Sequence, residues 1–153
     1  MVFKQVSNFS DHAHIFLCPS CFLFCMVYHA KGANAERELM HLFFEKGFSV
    51  VRIAGSGTSP LPAPDIIALK KGRIIAVECK ARKAKNLAVS VSQIGELLDW
   101  AERAGAEAFV GWKIPRKGWF FLKPVQMCNT GKFFTINQKD AMAKAMALDA
   151  VIG

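Results

Sequence analysis

The sequence is short of acid. Twelve Asp and Glu stand against twenty Lys and Arg in 153 residues, a formal net charge of +8. That imbalance favours polyanionic partners, nucleic acid or an anionic surface, and says nothing about fold. The sequence also lacks a disulfide framework. Its five cysteines, Cys18, Cys21, Cys25, Cys79 and Cys128, are unevenly spaced, which argues against a stapled secreted domain and for a reducing cytoplasm. No internal repeat and no long linker breaks the chain, so a repeat array or a string of domains is excluded. What is abundant is apolar: 52% of residues are hydrophobic, too many for a disordered chain and enough for one domain with its own core.

The most apolar run, AHIFLCPSCFLFCMVYHA at positions 13–30, suggests a membrane or export segment at first sight. It is short for a span, holds Pro19 near its middle, and lacks the basic start and small-residue cleavage site of a signal peptide. Met26 opens MVYHAKGANAERELM, an ordinary start for a domain that needs no membrane. Residues 1–25 are therefore set apart as an N-terminal extension, with a misassigned start as one reading of it, and 26–153 as the domain. His12, His14, Cys18 and Cys21 include zinc-ligand types, but one CxxC without a second knuckle is a weak signature.

From Gly32 onward helical and strand patterns alternate. Asn34 is a candidate cap for a helix over 35–46, which Gly47 stops. Strands are expected over 48–53, 65–69, 73–81, 108–114 and 119–122, with a Gly, Ser and Pro-rich loop over 54–63. Ser90 and Gln93 form a capping box at the start of a second helix that ends before Gly105. A last helix is expected over 139–151. The order α-β-β-β-α-β-β-α implies an α/β fold in which helices flank a mixed sheet.

The stretch PDIIALKKGRIIAVECK, at 64–80, carries the chemistry. A two-residue turn at Lys71-Gly72 places Lys70 opposite Arg73 and, counting inward, Asp65 opposite Glu78 on a shared face. Glu78 and Lys80 are two apart and share that face as well, leaving Val77 and Cys79 for the core. Two carboxylates this close repel each other, and a hard divalent cation relieves the repulsion. Glu36 sits in line with Leu39, Met40 and Phe43 on the apolar side of the first helix, so a third acid points at the sheet. Each position alone has an ordinary explanation as a turn residue, a surface ion pair or a dipole partner. Together they make a candidate metal site of Glu36, Asp65 and Glu78, with the Cys79 carbonyl, and Lys80 placed to hold a water or a phosphate oxygen. Lys70, Lys71, Arg73, Lys80, Arg82, Lys83 and Lys85 put seven cations into sixteen residues. Lys31, Arg37 and Arg52 lie near Glu36. These are candidate phosphate contacts that would position DNA without reading its sequence, or else a solvated face.

Pro64-Asp65 followed by Glu78-Cys79-Lys80 matches the PD-(D/E)xK nuclease signature. Together with KGANAERELMHLFFEKGFSVVRIAGSG at 31–57, it closely resembles the archaeal Holliday junction resolvases of the Hjc type, over about 28–122. The resemblance implies a restriction-endonuclease-like fold. It also implies a homodimer that cuts four-way DNA junctions with Mg²⁺ or Mn²⁺ and leaves 5′-phosphate ends. Its acids match Glu36, Asp65 and Glu78, its lysine Lys80, and its active-site serine Ser56. Candidate interface residues are Phe109, Trp112, Trp119 and Phe120, with ordinary core as the alternative. Phe133, Phe134 and the Met-rich segment 141–148 would cap the core or dock a sliding clamp. The rival readings are another nuclease of this fold acting on duplex or flapped DNA, and a non-catalytic DNA-binding module.

Overall fold

The computed structural model describes residues 19–53 and 61–153, with side chains from Gly32 onward. Helix α1 (Pro19–Glu45) opens with proline, which suits a first helical position, and runs unbroken past Asn34. Asn34 therefore does not cap. Its Oδ1 accepts instead from Arg37 Nη1 at 2.9 Å, one turn on. Three antiparallel strands follow, β1 (Ser49–Arg52), β2 (Ile66–Lys70) and β3 (Arg73–Ala81). Lys71 and Gly72 both have positive φ, 47° and 83°, as a tight two-residue hairpin turn requires. The pairing runs from Lys70↔Arg73 to Ile66↔Val77, which is the register expected from the turn.

Strand β4 (Asn86–Ser90) leads into α2 (Val91–Ala104), which stops at Gly105 in the left-handed region. Strand β5 (Glu107–Ile114) then pairs parallel to β3, and β6 (Gly118–Leu122) closes the edge antiparallel to β5. The main sheet has the order β1-β2-β3-β5-β6. Strands β7 (Cys128–Asn129) and β8 (Phe133–Asn137) join β4 in a second sheet of order β4-β8-β7, which the sequence reading did not anticipate. The expected last helix is two pieces, α3 (Gln138–Lys144) and α4 (Leu148–Ile152). Between them Met146 exchanges backbone hydrogen bonds with Phe121, at 2.8 and 3.0 Å, so the chain leaves the helix to cover an edge strand.

Strand alternation sorts the core. Ile75, Val77 and Phe109 face one side and pack with Leu39 and Phe43 of α1. Ala76, Val110 and Trp112 face the other and pack with Ile94 and Leu97 of α2 and with Leu87 of the second sheet. Phe109 and Trp112 are fully buried, so they are core and not a free interface, while Trp119 and Phe120 keep part of their surface.

Candidate active site

Strand β2 begins at Ile66, so among the described residues no strand pairs with β3 past Val77 on that side. Asp65 fills the gap. Its Oδ2 accepts the Cys79 backbone N–H at 2.7 Å, as a neighbouring strand's carbonyl would. The carboxylate thus bonds into the line of the ladder and does not simply stand beside Glu78 on one face. Within a strand a residue's N–H and C=O point the same way, so the Cys79 carbonyl faces this open edge too.

Glu78 and Lys80 project toward α2. Lys80 Nζ meets Glu78 Oε1 at 2.5 Å, and the Glu78 side chain is only 12% exposed. Burial, then the charge of Asp65, push the Glu78 carboxyl above its ordinary range, against the opposing pull of Lys80. Glu36 comes from the other side of the sheet. It pairs with Arg52 of β1 at 2.7 Å, so the acid does point at the sheet and its counter-charge is already at hand. The acids of both faces converge at the open edge, around a cleft of about 350 Å³ lined by Glu36, Pro64, Asp65, Glu78, Cys79, Lys80, Gln93 and Glu96. Cys79 registers the convergence. Burial pushes its thiol well up, and the charges of Asp65, Glu36 and Glu78 push it further. This environment favours the neutral thiol over the reactive thiolate. Larger clefts of about 520 and 590 Å³ lie elsewhere and carry no such set of charges, so chemistry and not size locates the site.

The donor set is hard oxygen, which suits Mg²⁺ or Mn²⁺. Among the described residues no three acids, histidines or cysteines are yet gathered around one metal-sized point. Each acid instead has a protein partner, and the strain between Asp65 and Glu78 is what a cation would relieve. Mg²⁺ keeps several of its waters and needs one or two carboxylates, which this cleft supplies.

Comparison with known proteins agrees with this geometry. Residues 27–153 match the family model described as archaeal Holliday junction resolvase (Hjc). The chain belongs to the Hjc family. The crossover junction endodeoxyribonuclease Hjc of Archaeoglobus fulgidus is 43% identical over 110 residues, covering 71% of this chain and 80% of that one. Hjc of Methanocaldococcus jannaschii is 30% identical over 121 residues, covering 79% and 84%. The solved structure of Archaeoglobus fulgidus Hjc, a Holliday junction resolvase, superposes with a TM-score of 0.72 at 35% identity, covering 78% of this chain and 95% of the other.

The basic residues of this Hjc chain fall into two groups that the sequence ran together. Lys70, Lys71 and Arg73 sit at the hairpin turn; at about 3.3 Å per residue Arg73 stands roughly 16 Å from Glu78 along β3. Lys70 bonds the Lys46 carbonyl at 2.7 Å, and Arg73 pairs with Glu107 at 2.7 Å. Arg82, Lys83 and Lys85 are exposed at the other end, beyond Lys80. Arg37 is exposed on α1, whereas Arg52 is mostly buried against Glu36. Ser56 lies outside the described residues, as do the side chains of Lys31 and Cys21 and the other candidate zinc ligands, His12, His14 and Cys18.

Lys113, Arg116 and Lys117 were missed in the sequence. The parallel pairing Ala81↔Lys113 carries them to the cleft end of the sheet. Only β3–β5 pairing across thirty residues shows this, so no local pattern could have. Gln93 was also missed as a site residue. Half of the capping box expected at Ser90 and Gln93 holds: Ser90 Oγ accepts from the Gln93 N–H at 3.2 Å, while the Gln93 side chain turns to Glu78.

Proposed function

We propose that this chain hydrolyses phosphodiester bonds at four-way DNA junctions, using Mg²⁺ or Mn²⁺ held by Asp65 and Glu78 with the Cys79 carbonyl and Glu36. The observation that carries the reading is the convergence of three acids and Lys80 on the open edge of β3 in an Hjc-family chain. When bound, the cation supplies Lewis acidity and a water of lowered pKa.

The Cys79 N–H holds Asp65 Oδ2, which fixes that carboxylate at the edge of the cleft. Glu78, crowded by Asp65, is electrostatically ready for a cation. Lys80, which pairs with Glu78, would meet a phosphate oxygen and hold the charge that builds there during attack. Arg52 holds Glu36 directed at the sheet. Ser56 would complete the family set. Products should carry 5′-phosphates.

Arg37, Arg82, Lys83, Lys85 and Lys113, the last paired with Glu38, would hold DNA by its backbone beyond the cleft. Lys31, Lys70, Lys71 and Arg73 would extend that track. A homodimer would present two clefts to two strands of a junction, and its symmetry would pair the cuts. Among the described residues no helix is long and apolar enough to cross a membrane. A cytoplasmic site of action is the reading we favour. Phe133 and Met142, both exposed, are where a partner such as a sliding clamp would dock. The test is Lys80→Ala in single-turnover cleavage of a synthetic junction. The rate should fall about 10²- to 10³-fold with junction affinity nearly unchanged; a wild-type rate would sink the assignment.

A further inference from the structure

Gln93 has no part in the sequence motif, yet it reaches the cleft. It stands in the first turn of α2, and its Nε2 donates to Glu78 Oε1 at 3.3 Å. The amide is not free to turn over. The Ser90 hydroxyl donates to Gln93 Oε1 at 3.2 Å, while Ser90 Oγ accepts the Gln93 backbone N–H. With its oxygen satisfied by a donor, the amide offers its NH₂ to the carboxylate. Lys80 Nζ meets the same Glu78 oxygen. Two donors, one from the strand and one from the helix, thus hold Oε1. Among the described residues no donor meets Oε2.

We propose that Gln93 is a positioning residue for Glu78: held by Ser90, it clamps Oε1 so that Oε2 is presented to the cleft for a divalent cation. This rests on Glu78 being a cation ligand, as proposed above. Ser90 then serves two ends at once. Its oxygen caps the helix and its proton sets the amide. The clamp matters most when a phosphate draws Lys80 away from Glu78, because Gln93 is then the remaining described donor on that carboxylate. Partners that orient a ligating side chain are typically worth about 10- to 100-fold in metal affinity or activity.

The test uses the full chain carrying Gln93→Met, which keeps the length and helix preference of the side chain and removes its donor. Gln93 is exposed, so the fold should survive. Mn²⁺ binding is measured without DNA by electron paramagnetic resonance, and junction cleavage is measured across Mg²⁺ concentrations. The expected result is Mn²⁺ affinity weakened by about 10-fold or more, an equal shift in the Mg²⁺ midpoint, and junction affinity without divalent cation within about twofold of wild type. Mn²⁺ affinity and Mg²⁺ midpoint both at wild-type values would overturn the proposal. If Gln93→Met fails to fold by circular dichroism, Ser90→Ala takes its place: the freed amide should also weaken Mn²⁺ binding, and unchanged binding overturns the clamp. Glu78→Gln is the control. If it binds Mn²⁺ like wild type, the reading of Glu78 as a ligand has failed, and the clamp with it. If it loses Mn²⁺ while Gln93→Met keeps it, only the clamp has failed.

Discussion

Burial and the charge of Asp65 hold the Glu78 carboxyl above its ordinary value of 4.5, and that has two consequences. Only the carboxylate form holds a cation, so protons compete with the cation and cleavage at limiting Mg²⁺ should fall as pH drops. For stability the sign is opposite. The folded chain binds this proton more tightly than the unfolded chain, so the associated stability is present below the unfolded pKa and is lost as pH rises through the folded one. At neutral pH without a cation, ionised Glu78 works against the fold. Glu78→Gln should therefore raise the Tm by a few degrees at pH 7.5 in a chelator while abolishing cleavage. A lowered Tm in thermal melts would show that the Lys80 pair outweighs burial and repulsion. The residues of this trade were largely legible in advance. Asp65, Glu78 and Lys80 followed from a turn and a count of two. Gln93 did not, because a side chain that crosses from another element leaves no trace in local spacing.

Among the elements, β5 is the one on which the sheet turns, since it joins the antiparallel β1-β2-β3 unit to the β6 edge. Gly111 lies opposite Cys79 in that pairing. A Cβ there would stand 2.9 Å from Val77 Cγ1 and 3.3 Å from the Trp119 ring, which stacks on Phe121 at 6.1 Å. The glycine is what lets the Trp119–Phe121 pair lie close over the strand. Gly111→Ala should cost about 1–3 kcal/mol by overpacking, read as a lower midpoint in urea denaturation. An unchanged midpoint would mean that Val77 and the rings shift at no cost. Strands β2, β3, β5 and β6 could be placed from sequence because each alternates or carries β-branched and aromatic residues over a full strand length. The second sheet could not. It pairs Asn86 with Asn137 across fifty residues, and β7 is only two residues long. The break at Met146 was equally hidden, since its cause is the edge of β6 and not any helix-breaking residue in Ala141–Leu148.

For the molecule as a whole, the +8 charge resolves into a cleft of acids with cations ranged beyond it. Phosphate neutralisation releases counterions, so junction binding should weaken by about 10³-fold or more between 50 and 200 mM salt if six or more contacts form. Titration of a labelled junction checks this, and a flat response would remove the basic residues from the interface. Replacing Lys113 should lower the salt slope by about one contact without altering the Mg²⁺ requirement. The most direct test remains chemical. A synthetic four-way junction and a linear duplex of the same sequence are incubated with wild type and Asp65→Ala, each with Mg²⁺ or with a chelator. Wild type should cut the junction only with Mg²⁺, leave the duplex largely intact and yield 5′-phosphate ends, while Asp65→Ala binds the junction without cutting it. Cleavage in the chelator, or by Asp65→Ala at the wild-type rate, would contradict a cation site at the open edge of β3.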